Sequence, residues 1–596
     1  MAVYDAVFLG GGLASCLAAR YLKRRRPDWR LLIVEQGTSA RWNPGESSVG
    51  VAGTFLIRDL GLSTYAYVNL LPKNALRFLF DADQDEFDVT RCSEIGSDML
   101  PVFPTFQIDR KRIVEDLWRL NAELGVEVRL GTTVESLVLG KDGASHRLSL
   151  ARDGRKETVE ARWLVNGSGR ASKAAPVFNE LSPVTEDPDH RLAASWGRFT
   201  KVRDLDALGD DAWRRRVGYT SRYLSTTHLM GRGYWIWHIP IGRDIVSFGV
   251  VYDKEVVTQD LQSQAGLRAF MDAHPLSRAL LAGSEQLDFQ CFGHLPFKRK
   301  TFCSPDRWAF VGDAFMFVDP FYSPGSDVIS RESYHLEHLL SAGTDALPEV
   351  CGVINSYCDL DYEVLKLLYV DQYAGFGSFE VYDIKSLWDF HSYTNRILFP
   401  FVERRQLSLD WLRAQVEGAG GPLGLMRAVQ KGFIDLRRWL DEEGHYSRRN
   451  LEHHSLRQNR FRIEERILRG DYTEEEARRQ HLHLCRLTVS ELVASRFGFA
   501  EFGAKRVVQD ALHTGALQAF TLTEAWLAGL LEKVGAKVSE SVAAATGERV
   551  EARATPECLR RPRPRGFESA SPAARAAAEA LWSEPARNLV VESLVR

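Results

Sequence analysis

Apolar runs and polar breaks divide the chain into three stretches of different texture. The first opens with an apolar run from Val3 to Leu9 that stops at Gly10-Gly11-Gly12, after which apolar positions over 16–22 recur at helical spacing. A second run, Leu31 to Val34, ends at Glu35, so the pattern predicts strand, tight turn, helix and strand. Residues 107–130 carry an amphipathic helical pattern followed by a strand beginning near Val126. Two more buried strands are predicted to close on small residues, 164–165 on Asn166-Gly167-Ser168-Gly169-Arg170 and 308–311 on Gly312-Asp313. In the second stretch, 185–295, alternation such as that of 244–251 predicts a mostly antiparallel sheet, and a strand over 233–240 would put Trp235 and Trp237 on one face. Beyond about 345 the spacing turns helical: 423–440 follow a glycine and proline break at 418–422, and Thr473 with Glu476 forms a capping-box pattern. The aromatic-rich run 362–401 reads as core at the junction of these parts, with closure of a large substrate cavity as the second reading.

The expected fold class is therefore α/β. A Rossmann-like dinucleotide-binding domain comes in two pieces, 1–185 and 296–345, with an antiparallel β-sheet substrate domain over 186–295 inserted between them and a mostly α-helical C-terminal region over 346–596. With 596 residues, 45% hydrophobic and 26% charged, the chain can bury a sizeable core, and its formal charge of -3 gives no electrostatic reason to expect nucleic acid or an anionic membrane. No apolar run is long enough to cross a bilayer and the N-terminus opens on a strand and a glycine turn, so a cytoplasmic location is expected. The eight cysteines are scattered without a CxxC pair, which indicates neither a disulfide framework nor a zinc knuckle. His481 and Cys485 share a helix face, but two ligands do not make a metal centre, and none is expected.

The candidate chemistry lies where strands end on glycine. Gly10 permits the turn, Gly12 lets the backbone approach a pyrophosphate, Ser15 is small enough for helix–strand packing, and Glu35 stands where an acid would hold the adenosine ribose. In this strand–helix–strand context the motif points to a dinucleotide. Gly45-Glu46-Ser47, after Pro44, either brings amides and a hydroxyl near a cofactor or forms a surface loop. Arg110, at a helix start, could reach a phosphate or ribose, or pair with Asp109 or Glu115. Asp313, at a strand's carboxyl end, could accept a hydrogen bond from a ribityl hydroxyl. Lys73, in the apolar segment 70–78, would by itself be read as a solvated lysine.

Several blocks in one order resemble the flavin-dependent halogenases, a branch of the FAD-dependent monooxygenase superfamily with a hydroxybenzoate-hydroxylase type of FAD domain. Trp235 to Pro240 fits WxWxIP, GGGLAS at 10–15 is similar to the family's glycine motif, and GES at 45–47 to its next block. LPKNALRF at 71–78 resembles the lysine-bearing segment, VNGSGR resembles the usual DASGR with Asn166 for Asp, and GDAFMFVDPFYSPG resembles the GDAxxFxDPxxSxG flavin loop. The resemblance covers roughly residues 1–345. It implies FAD contacts from Gly10, Gly12, Leu13, Ala14, Ser15, Glu35, Gly45, Glu46, Ser47, Arg110, Val134, Gly312, Asp313, Pro320 and Gly325. It also implies a separate flavin reductase that supplies reduced FAD, dioxygen and chloride or bromide as co-substrates, and hypohalous acid that travels past Trp235 and Trp237 to Lys73. There the oxidant, held as haloamine or hydrogen-bonded acid, would halogenate an electron-rich aromatic such as a phenol, pyrrole or indole.

One departure favours a different outcome on the same scaffold. The family's halide is held by backbone N–H groups after the DP dipeptide, a position that falls on Ser323, Gly325 and Ser326, but Pro324 between them has no N–H. Asp327 adds a negative charge nearby. The alternative is an FAD-dependent hydroxylase that transfers oxygen directly. Nearly 250 residues beyond the resemblance imply a large or carrier-tethered substrate, or a homodimer contact, and the RRPRPRG run at 560–566 reads as an extended linker before an Ala-rich helix.

Overall fold

A computed structural model describes residues 3–497, apart from 82–83, 85, 142, 171–174, 243 and 457–461. The expected linker at 560–566 and the helix after it lie outside the described residues. The apolar runs of the first stretch become neighbours in one sheet. Strands Trp308–Phe310, Arg155–Asn166, Val3–Leu9, Leu31–Val34 and Glu127–Arg129 lie side by side in that order, all parallel. Every residue of Leu31–Val34 is buried, as a parallel strand covered on both faces requires. The register matters most for function: Leu9 pairs with both Val34 and Asn166, and Asn166 with Phe310. Gly10, Glu35, Gly167 and Gly312 therefore follow from strand ends aligned along one edge.

The second sheet is larger than the stretch 185–295. Leu192–Thr200, Val246–Asp253, Tyr234–Pro240 and Thr226–Gly231 run antiparallel in that order, and Leu76–Phe80 joins parallel to the last. Ser93–Ile95 and then His454–Ser455 extend it further. The sheet thus takes edge strands from segments far before and far after it in sequence. Alternation works as read: Trp235 and Trp237 join the main core, whereas Ile236 between them joins a separate cluster on the opposite face with Phe248 and Val250.

Helices follow, including Gly325–Ser341, Leu347–Leu367, Phe379–Tyr393, Gly420–Glu442 and Glu474–Phe497. The last begins with the expected capping box, Thr473 N–H donating to Glu476 at 2.9 Å and Glu476 N–H to Thr473 Oγ1 at 3.2 Å. No described helix is long and apolar enough to cross a membrane. The aromatic run 362–401 does enter the main core: Tyr369, Phe376, Tyr382 and Phe401 belong to the same cluster as the strands of the parallel sheet.

Candidate active site

The glycine turns converge on the start of the Leu13–Arg25 helix. Gly10 has φ +91°, and a Cβ there would lie 2.7 Å from the Cα of Ser168. Gly312, at φ +65°, leaves no room for a Cβ either, because one would sit 2.7 Å from the Cβ of Ala14. Ser15 lies against Gly167, so a small residue is needed on both sides of that contact. The helix start itself is open: Gly12 is its N-cap without any side-chain cap, and a methyl at Gly12 would meet nothing within 4 Å. Uncapped amide groups with clear space before them fit a pyrophosphate.

The remaining residues of this crevice are arranged around that opening. Glu35 accepts hydrogen bonds from the N–H groups of Gly11 and Gly37, both at 2.7 Å, which fixes its carboxylate at the end of the second strand. Val134 sits on the Thr133–Val138 strand, paired with Leu150, just beyond Thr132, whose N–H donates to the carbonyl of Glu35. Arg110 donates to the carbonyl of Pro44 at 2.8 Å, beside Gly45 at φ +90°, while its Nε is buried with no partner. Asp313 is exposed, yet the protein around it raises its pKa, with Arg110 and Arg170 pulling the other way. An orphaned guanidinium N–H, an accessible carboxylate and an uncapped helix start fit a dinucleotide such as FAD. Glu46 goes elsewhere: its carboxylate is buried against Arg198, at 2.9 Å to Nε, so it anchors the 45–47 turn to the second sheet.

Lys73 is not solvated. It lies in the link between the short strand Leu71–Pro72 and Leu76–Phe80, its N–H bonded to the carbonyl of Thr105 and its carbonyl accepting from the Thr105 hydroxyl. Its side chain is 2% exposed, and Nζ donates to Ser47 Oγ at 2.8 Å and to the Ser48 carbonyl at 2.9 Å. Burial lowers its pKa from the usual lysine range to about 7, although the Asp327 carboxylate opposes the shift. Lys73 lines a cavity of about 120 Å³ bounded by Ala75, Phe103, Tyr322, Pro324 and Asp327 on one side and by Tyr369, Asp389, Tyr393 and Arg396 of the helical region on the other. The aromatic run 362–401 therefore supplies both core and cavity wall.

The segment after Asp319-Pro320 borders the cavity through Tyr322 and Pro324. Asp319 accepts from the N–H of Phe321 at 2.9 Å and from the hydroxyl of Tyr373 at 2.8 Å. Ser323 adopts a left-handed φ of +59°, and its N–H already donates to the Pro320 carbonyl at 2.9 Å. Pro324 is the N-cap of the Gly325–Ser341 helix, which has no side-chain cap, so the first free amides are those of Gly325 and Ser326. A methyl at Gly325 would meet nothing within 4 Å. The Asp327 carboxylate does not cap this helix; it accepts from Ala52 N–H at 2.9 Å and from the Tyr393 hydroxyl at 2.8 Å, and burial raises its pKa to about 6.

Trp235 and Trp237 are 3% and 6% exposed, with ring centroids 5.8 Å apart. Trp235 stands edge-on to Phe321 at 5.1 Å and donates to Tyr373 at 3.0 Å; Trp237 donates to Ser247 at 3.0 Å. Trp235 thus packs against Phe321 of the 319–325 segment, whose Tyr322 faces the cavity. Two contacts escaped the sequence: Ser47 touching Lys73, and Tyr393 holding Asp327, since neither residue type is distinctive and each pair is far apart along the chain.

A parallel sheet whose glycine turns meet at an uncapped helix start, carrying an inserted antiparallel sheet, defines an FAD-dependent oxidoreductase fold. Residues 80–374 match the tryptophan halogenase family model. The chain is 28% identical over 369 residues to the flavin-dependent halogenase chlA of Dictyostelium discoideum, covering 56% of this chain and 60% of that protein. It is 25% identical over 355 residues to a 1H-pyrrole-2-carbonyl-[peptidyl-carrier protein] brominase of Pseudoalteromonas luteoviolacea, covering 57% and 78%. Among solved structures, halogenase PltM in complex with phloroglucinol and FAD superposes with a TM-score of 0.57 at 14% identity over 84% of this chain and 98% of its own. The flavin-dependent brominase Bmp2 gives 0.51 at 20% identity, over 69% and 93%. The family model, the curated relatives and the fold of the solved structures all point to the flavin-dependent halogenases.

Proposed function

We propose that this chain halogenates an electron-rich aromatic substrate, a phenol, pyrrole or indole-like ring, using reduced FAD, dioxygen and chloride or bromide. The observation that carries the reading is the Lys73 amine, buried, held by Ser47 and Ser48, and lining a cavity that Tyr322 and Pro324 of the 319–325 segment also line. Reduced FAD, when bound, would donate the electrons that activate dioxygen, and dioxygen is the oxidant that turns halide into hypohalous acid. The uncapped start of the Leu13–Arg25 helix would face its pyrophosphate, Glu35 its adenosine ribose, and Asp313 and Arg110 the middle of the molecule. Gly325 and Ser326 would offer the halide its amides. Trp235, packed against Phe321, and Trp237 beside it would keep the aromatic substrate from the redox centre.

Lys73 then performs the transfer. With its pKa near 7, a large fraction of the amine has a free lone pair at neutral pH. That lone pair takes X⁺ from HOX, releasing water after loss of one amine proton; the ring carbon takes X⁺ from nitrogen, and the ring's proton leaves to restore the amine. A separate reductase would supply the reduced flavin, and names such as that of the pyrrole-carrier brominase make a carrier-tethered substrate a natural member of any test panel.

A hydroxylase on the same scaffold is the second reading. It is favoured by the loss of two of the expected halide donors, since Pro324 has no N–H and that of Ser323 is engaged with Pro320. The experiment that decides is incubation with reduced FAD, dioxygen and a panel of phenols, indoles and carrier-bound acyl aromatics, with or without bromide, read by mass spectrometry. Brominated product that vanishes in Lys73→Ala, with FAD binding retained, is expected. Oxygen insertion indifferent to bromide would replace this reading with the hydroxylase.

A further inference from the structure

The cavity that Lys73 faces contains a cation without an anion. Arg396 lies within 394–398, a single turn of π-helix that follows the Phe379–Tyr393 helix and that widens the backbone at this point. Other buried arginines of the chain are answered: Arg77 pairs with Glu94 at 2.9 Å, Arg198 with Glu46 at 2.8 Å, Arg222 with Glu94 at 2.8 Å, and Arg331, on the same cavity, with Asp361, while Arg20 and Arg299 donate to backbone carbonyls. Arg396 has neither an ion pair nor a hydrogen bond among the described residues. Arg396 is half-buried, and burial lowers its pKa against an opposing effect of Tyr357, as for a charge partly stripped of water without a carboxylate beside it.

The acids on the same walls do not serve it. Asp327 is engaged with Ala52 and Tyr393, and Asp389 with Lys385 at 2.8 Å and Tyr322 at 2.8 Å. Glu464 also lines the cavity, but its pKa is raised to about 7 by burial and by Glu465, with no contribution from Arg396. A planar fork of donors, presented into a cavity and left unpaired by the protein, is built for a carboxylate from outside. We propose that Arg396 is the anion subsite of this cavity, binding a carboxylate carried by the aromatic substrate and so fixing which part of the ring faces Lys73. The inference rests on the reading of this cavity as the substrate site, and it makes aromatic acids the favoured substrate class.

A matched pair of probes tests it, 4-hydroxyphenylacetate and 4-hydroxyphenylacetamide, which differ by the charge alone. Their binding to the full chain is measured by calorimetry, without turnover, for the wild type, Arg396→Gln and Arg396→Lys. The wild type is expected to bind the acid about 10-fold or more tightly than the amide, as one charge-assisted bidentate pair implies. Arg396→Gln should abolish that preference while leaving amide binding and thermal unfolding unchanged, and Arg396→Lys should keep part of it. Equal affinities in the wild type, no binding of the acid, or an acid preference that survives in Arg396→Gln would each overturn the proposal. The halogenation reading fails separately: an acid bound through Arg396 but never halogenated leaves the anion subsite in place and removes the chemistry.

Discussion

An amine taken out of water gives up its proton more readily, and burial brings Lys73 to about 7 against the opposing pull of Asp327. If the neutral amine takes up the oxidant, its fraction rises as pH climbs through 7, and so does the rate. The kcat for halogenation, measured with reduced FAD and bromide held saturating, is expected to increase from pH 6 to 8 and level off, with an apparent pKa of about 7. A profile that falls over this range would assign the work to the ammonium as a hydrogen-bond donor instead. Lys73→Arg separates the two further, because a guanidinium keeps its charge and cannot be deprotonated. It should lose at least about 100-fold in kcat while binding FAD as before. Ser47 holds the same amine at 2.8 Å and is itself bonded to Thr226, so the 45–47 turn contributes to this site as well as bordering the crevice.

A helix start presents amides whatever its sequence, but only an open one can present them to an ion. The Gly325–Ser341 helix has no side-chain cap, its N-cap Pro324 has no N–H to offer, and the space over Gly325 is clear. Gly325→Ala is therefore expected to fold normally, alanine being the better helix residue, while its methyl intrudes where a halide would sit. The bromide KM should rise about 5-fold or more with FAD binding unaltered, a loss on the scale of one weakened hydrogen bond. An unchanged bromide KM in a variant with a normal melting temperature would place the halide elsewhere. Elements of this kind show what could be read from the chain beforehand. The glycines at 10, 12 and 312 were legible because each stands in the turn that ends an apolar run, although the neighbours that exclude a Cβ at Gly10 and Gly312, Ser168 and Ala14, are distant in sequence. The strand holding Trp235 and Trp237 was legible from period two alone. Glu46 was not, because its acid is answered by Arg198, a residue on the other sheet, and no local pattern announces that pair. Nor was Arg396, whose meaning lies in the partner it lacks.

Taken as a whole, the molecule closes its candidate site with a region in which the sequence resemblance had faded. The C-terminal helices are not an appendage: Tyr362, Leu365, Tyr369, Tyr373, Phe376, Phe379, Tyr382, Leu398, Phe399 and Phe401 are buried in the same core as the parallel sheet. Phe401 stacks on Tyr334 with ring centroids 4.9 Å apart, and Tyr373 bonds both Asp319 and Trp235, so the region grips the 319–325 segment directly. His454–Ser455 even adds a strand to the second sheet. Ten large side chains at about 1.5–3 kcal/mol each amount to ~15–30 kcal/mol of burial, more than the net stability of an ordinary domain. A chain ended at residue 345 should therefore fail to form a native core rather than lose one function. Expressed and purified, it is expected to bind a hydrophobic dye strongly, to lack a cooperative thermal transition and to sediment as an aggregate. A soluble monomer that unfolds cooperatively and binds FAD with the affinity of the full chain would show the helical region to be dispensable for the fold. The second half of the chain would then serve the substrate alone, since Tyr369, Asp389, Tyr393 and Arg396 would still be missing from the cavity around Lys73.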